Sequence, residues 1–217
     1  MRSATTCPAH CCEPATAAMA EVALERPLSN KGRQTREAIE DSARELFALR
    51  GFHATTLADI TAAAGKSPAA FYRYYSDKED LLAALAEEFL TEVVELPKIP
   101  DDDDFFVSAV GIYWNLFKPN VGIMVAVDQL AAGEPRFARL QDQFRQFGID
   151  IVAASVRRAK QQGYAAELDA DHIALAIALL FERFTSVSLS EGLSDAAAVS
   201  TLSTIWKKTL YGQPTTE

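Results

Sequence analysis

From Lys31 onward the apolar residues return at intervals of three and four, and no stretch alternates long enough to make a strand, so the pattern predicts an all-α chain. The first helix is expected over about Arg33–Arg50, with Ile39, Ala43, Leu46 and Phe47 on one face and Gly51 closing it. Thr56-Leu57-Ala58-Asp59 sets a hydroxyl and a carboxylate three residues apart, close to capping-box spacing, and opens a second helix holding Leu57, Ile60 and Ala64. That helix stops at Gly65. Ser67-Pro68 repeats the start pattern, with proline at the first helical position where its missing N–H costs nothing. This third helix is expected to reach about Tyr75, with Phe71 and Tyr75 turned inward. Ser76-Asp77 opens a fourth, striped by Leu81, Leu82, Leu85, Phe89 and Val93 and ending before Pro97.

Lys98 to Asp104, with Pro100 and four consecutive aspartates, is the main break in composition and reads as a loop between two domains. Beyond it five more helices are expected, at about Asp104–Phe117, Asn120–Ala132, Pro135–Gln162, Asp169–Glu191 and Asp195–Leu210, making about nine in all. Ile173, Ile177, Leu180, Phe181 and Phe184 leave the penultimate helix apolar around much of its circumference. Val199, Leu202, Ile205, Trp206 and Leu210 stripe the last one. A pair of such helices from each of two chains would bury these faces in a four-helix interface, which predicts a homodimer.

The composition fits a globular protein: 217 residues, 49% hydrophobic, with a net charge of −9. The longest apolar stretch, Ile173–Phe181, falls well short of the ~20 residues that cross a bilayer, so no membrane span and a cytoplasmic location are expected. Residues 1–30 are rich in Ala, Thr, Pro and Glu without helical period and read as an unpacked tail. All three cysteines, Cys7, Cys11 and Cys12, lie there with His10. Zinc could use such ligands, but one short run without a second ligand pair favours a tail over a metal site. His53 and His172 have no neighbours that would make a nucleophile and base. No phosphate loop occurs, so the chain reads as a non-enzyme without metal or cofactor.

The informative segment is Thr55–Lys78. Two short helices joined at Gly65 make a helix-turn-helix, whose second helix enters the major groove with its N-terminal residues nearest the base edges. Ala69 and Ala70 keep that end slim and suit contact with thymine methyls, while Arg73 is the leading candidate for a base contact. Thr56, Ser67, Tyr72 and Lys78 offer hydroxyls or charge where phosphates would run, and Arg33 and Arg36 extend that footprint.

On these residues the segment 33–89 resembles the N-terminal DNA-binding domain of the TetR family of bacterial transcriptional repressors. The matching positions are Thr56, Ile60, Ala64-Gly65, Ser67, Tyr72, Tyr74, Tyr75, Lys78 and Leu81-Leu82. The resemblance implies that Lys66, Ser67, Ala69, Ala70, Tyr72, Arg73, Tyr74 and Lys78 face DNA, with Thr56 at the phosphate. Lys66, Ala69 and Ala70 depart from the usual hydrophobic residue, glycine and hydroxyl residue. The resemblance further implies a three-helix DNA-binding domain over residues 31–82, linked by the fourth helix to about residue 96. A helical effector-binding and dimerisation domain would follow over 97–217.

The charge distribution agrees with that division: residues 31–82 hold eight Lys+Arg and eight Asp+Glu, while residues 83–217 hold eleven and nineteen. In the second half Trp114, Phe117, Met124, Phe144, Phe147 and Phe181 are expected to line a largely apolar effector pocket, with His172, Asp128 and Arg183 as possible polar anchors. The expected function is a repressor that binds a palindromic operator as a dimer and is released by a small apolar effector. The alternatives are an activator, or a helical interaction or carrier module that keeps the fold.

Overall fold

The computed structural model describes residues 29–95, 102 and 104–212. The described residues form eight α-helices and no strand, so the all-α reading holds with one helix fewer than expected. The tail with Cys7, His10, Cys11 and Cys12, and most of the aspartate-rich loop, lie outside the described residues.

α1 (Asn30–Arg50) starts three residues before the expected Arg33, because Ser29 accepts from the Gly32 N–H at 3.2 Å and caps it. Gly51 closes it with a φ of 81°, a conformation that L side chains rarely adopt. α2 (Leu57–Ala63) opens on the predicted capping box. The Asp59 N–H donates to Thr56 Oγ1 at 3.2 Å, while the Thr56 N–H donates to Asp59 Oδ2 at 2.9 Å. α3 (Pro68–Phe71) begins as predicted, with Ser67 accepting from the Ala70 N–H, but it ends four residues short of Tyr75. The Tyr74 N–H already bonds the Phe71 carbonyl at 2.9 Å, three residues back, and this tighter winding ends the α-helix. Tyr75 is buried nonetheless. α4 (Lys78–Val94) is capped by Asp77 and buries its predicted stripe of Leu81, Leu82, Leu85, Phe89 and Val93.

α5 (Phe105–Ala131) is a single helix where two were expected. Pro119 lies inside it and removes one backbone donor, which normally ends or kinks a helix. Packing on both sides overrides that preference: Val110 and Trp114 are buried before it, and Ile123, Ala126 and Val127 after it. Asn120 adds two ties, donating to the Leu116 carbonyl at 3.0 Å and accepting from Arg44 of α1 at 2.7 Å. α6 (Pro135–Gln161), α7 (Ala170–Ser190) and α8 (Asp195–Tyr211) match their expected spans within a residue at each end.

Two clusters of buried side chains hold the chain together. The first runs from α1–α4 into the second half of α5 and the first half of α6, so the helix-turn-helix shares its core with the helices that follow. The second joins the first half of α5 and the second half of α6 with α7 and α8, where the Trp206 indole donates to Ser155 Oγ at 3.1 Å. Arg44 clamps α1 to both α4 and α5, reaching Glu88 at 2.6 Å as well as Asn120. Arg136 of α6 pairs with Asp80 and Glu87 of α4. At the closest crossing Gly122 of α5 lies against the α1 backbone, so near that a Cβ there would meet Ala48 N at 2.5 Å.

Candidate nucleic-acid interface and ligand cavity

The capped starts of α2, α3 and α4 and the first turn of α1 bring the candidate DNA-facing residues together. The Tyr74 hydroxyl donates to the Gly32 carbonyl at 3.1 Å, which sets the end of α3 beside the start of α1 and its Arg33. The Lys78 ammonium donates to the carbonyls of Phe52 and Thr55 at 2.8 and 2.9 Å and lies 4.0 Å over the Phe52 ring, which sets α4 beside the loop before α2. Between these two anchors α3 and the residues at its two ends expose Ser67, Ala69, Tyr72 and Arg73 to solvent.

The cations of this region differ in what they touch. Arg33 sits 3.6 Å from Glu37, and Arg50 sits 3.2 Å from Asp59. Arg36 donates to Glu40 at 2.7 Å and to the buried Tyr75 hydroxyl at 3.2 Å, while Tyr75 itself donates to Glu40. Burial, reinforced by Glu40, pushes the Tyr75 phenol well above its ordinary range, so it stays protonated. The side chains of Lys66 and Arg73 make no hydrogen bond or ion pair with any described residue and flank α3 on either side. Thr56, Tyr74 and Lys78 have their polar groups engaged by the fold. Tyr72, more than half exposed, stacks edge-on against the buried Phe71, which fixes its direction.

The second half contains a cavity of about 90 Å³ between α5, α6 and α7, closed on one side by Trp206 of α8. It adjoins an outer cleft of about 390 Å³, and Tyr113, Phe117, Met124, Asp128, Arg145 and Glu182 form the walls shared by the two. Five of the six expected pocket residues, Phe117, Met124, Phe144, Phe147 and Phe181, line the inner cavity. Trp114 does not. It is buried on another face of α5, where its indole N–H stands near the Asp195 carboxylate without a good hydrogen-bond geometry. Lys118 chiefly, and Trp114 after it, hold the Asp195 carboxyl below its usual range. His172 also lies elsewhere, exposed in the first turn of α7, whereas Asp128 and Arg183 do reach the cavity or its cleft.

Sequence reasoning missed Tyr113, Arg145, Glu182 and Trp206. Tyr113 stacks on Phe117 with centroids 4.3 Å apart and bonds Thr185 of α7 at 3.0 Å. Its place one turn before Phe117 was the available sign. Arg145 and Glu182 each follow a predicted lining residue, and nothing in their own type marked them. Glu182 lies 3.9 Å from Arg145 and accepts no hydrogen bond from a described residue, and burial pushes its carboxyl up. Phe89 of α4 touches two cavity-lining rings, Phe117 at 5.0 Å and Phe144 at 5.1 Å, so a cavity wall is also a wall of the core around α4.

Among the described residues no helix is long and apolar enough to cross a membrane, and no group of three or more His, Cys, Asp or Glu is placed to hold a metal.

Residues 39–85 match the sequence model described as "Bacterial regulatory proteins, tetR family", and residues 106–212 match that of "Transcriptional regulator EthR, C-terminal domain". The HTH-type transcriptional regulator EthR of Mycobacterium tuberculosis (strain ATCC 25618 / H37Rv) is 26% identical over 187 residues, covering 81% of this chain and 87% of that one. A putative transcriptional regulator from Saccharomonospora viridis, solved in complex with choline, superposes with a TM-score of 0.66 at 20% identity. It covers 81% of this chain and 95% of its own. A putative TetR-family regulator from Syntrophomonas wolfei does so with a TM-score of 0.62 at 19% identity, over 85% of this chain and 99% of the other.

Proposed function

Because the chain belongs to the TetR family of bacterial transcriptional regulators, we propose that it is a repressor. In this reading it binds a two-fold operator as a homodimer and is released by a small, largely apolar effector. Residues 31–82 are the DNA-binding unit, α4 is the link, and residues 97–217 hold the effector and the dimer interface. The observation that carries the reading is the pair of cations flanking α3, Lys66 and Arg73, whose charged side chains have no partner among the described residues while those of Arg33, Arg36 and Arg50 do. Arg73 is suited to a guanine edge or a phosphate, and Tyr72 and Ser67 to the sugar-phosphate backbone. Thr56, Tyr74 and Lys78 hold the helix starts in place, and Arg33 and Arg36 border the footprint at the start of α1.

The supporting chain of contacts for release runs from cavity to α3. An effector seated against Phe117 and Phe144 presses on Phe89 of α4, and the far end of α4 carries Lys78, which grips the loop before α2. Dimer half-sites lie about 34–36 Å apart, so a small tilt of α4 in each subunit misplaces the two α3 helices relative to the groove. The coupling is reciprocal: an effector that weakens operator binding is itself bound less tightly by the operator complex, by the same factor. The dimer reading is supported by Leu175, Leu179, Leu180 and Val187 on the outer face of α7 and Ile205 on α8, large apolar side chains left exposed in the single chain. The choline held by the Saccharomonospora viridis regulator supports a small-molecule site in this fold.

The test is fluorescence anisotropy with an inverted repeat from the DNA flanking the gene, against a scrambled duplex, over a salt series. Two chains per site, preference for the repeat and a steep loss of affinity with salt are expected. Arg73→Ala should weaken binding at least tenfold without changing the thermal melt. Equal affinity for repeat and scrambled DNA at every salt concentration overturns the reading.

A further inference from the structure

The walls shared by cavity and cleft carry a polar pair that the protein leaves incomplete. Arg145 Nε is buried and donates to no described group, and its nearest acceptor, Glu182 Oε2, is 3.9 Å away, beyond hydrogen-bonding distance. Glu182 lies half-buried and accepts no hydrogen bond from a described residue. An unmet donor and an unmet acceptor therefore stand side by side where the two compartments meet, and a buried polar group without a partner is destabilising until something pairs with it. Nearby, Asp128 already accepts from Gln141, and the other Arg145 contact is Asp142 at 3.5 Å. The charges around the cleft balance, Asp128 and Glu182 against Arg145 and Arg183, so no net field favours a head group of either sign.

We propose, resting on the effector reading above, that this site takes a ligand with a neutral head presenting an acceptor and a donor side by side, the chemistry of a carboxamide, on a slim apolar tail. The carbonyl oxygen accepts from Arg145 Nε and the N–H donates to Glu182. The tail enters the inner chamber between Phe144 and Phe181. That chamber, about 90 Å³ and walled mainly by apolar side chains, opens along shared walls onto the cleft of about 390 Å³, so a flexible tail can fill it and run on along those walls.

The test uses the full chain without DNA and three probes that share one tail, octanamide, octanoate and octylammonium, titrated by calorimetry at pH 7. Octanamide should bind at least tenfold more tightly than either charged probe. That advantage should fall to within threefold in Arg145→Met and in Glu182→Leu, each checked for an intact thermal melt. Equal binding of all three, preference for a charged head, or no octanamide binding by the wild type overturns the proposal, and the wild-type comparison stands even if a variant fails to fold. Operator binding measured without any ligand is untouched by that failure, so the two readings fall separately.

Discussion

Glu182 illustrates how one side chain reports its surroundings. Burial, with Arg145 opposing and Asp128 adding, raises its carboxyl above the ordinary glutamate range, so the folded chain holds that proton more tightly than the unfolded chain. The ionised form then costs stability, and the cost grows as pH rises above the unfolded value. Glu182→Gln should melt at a higher temperature than the wild type at pH 7, and the gain should disappear as the pH falls through 4. A lower melting temperature at pH 7 contradicts this account of the site. Thr56 has the opposite character: its hydroxyl and N–H hold the Asp59 carboxyl below its usual range while it caps α2. Thr56→Ala should cost about 1 kcal/mol in urea unfolding, the usual worth of such a cap. Its role was readable from the spacing of Thr56 and Asp59 alone, because a capping box is a local device. Glu182 was not readable, because its meaning comes from Arg145 on another helix.

At the scale of elements, spacing revealed nearly every boundary set by local chemistry: Thr56, Ser67 and Asp77 as caps, Gly51 and Gly65 as stops. It failed at Pro119, where a strong local breaker meets a stronger tertiary preference. Tyr113, Phe117, Val121, Met124 and Val127 keep intervals of three and four across the proline, and that continuity was the evidence for one helix. The continuity matters because α5 crosses α1 at Gly122, just past the proline. Gly122→Ala would drive a methyl into the backbone of Phe47 and Ala48 at 2.5–2.8 Å, where nothing flexible can give way. Overpacking of this kind costs about 1–3 kcal/mol, so the thermal midpoint should fall by several degrees. An unchanged midpoint would mean that the two helices part more easily than their packing implies. Five cavity-lining residues were also legible as aromatic or Met positions on neighbouring helices, while Trp114 was misassigned because its type says nothing about which side of α5 it takes.

For the whole molecule, the formal charge of −9 conceals a neutral helix-turn-helix region at residues 31–82 and an acidic stretch over residues 83–217, a division visible in the sequence by counting. A neutral region gives only modest nonspecific attraction to DNA, which accords with the proposed engagement of two half-sites by two subunits. Leu180→Glu, on the exposed face of α7, should convert the proposed dimer to a monomer in sedimentation and weaken operator binding with it, since a charge would have to be buried in the apolar face that the two chains are proposed to share. The most direct test of the account as a whole is the stoichiometry and sequence preference of DNA binding by the purified chain. The account predicts two subunits on one inverted repeat, with affinity lost in Arg73→Ala. Binding by a single subunit, or indifference to the repeat, would contradict it.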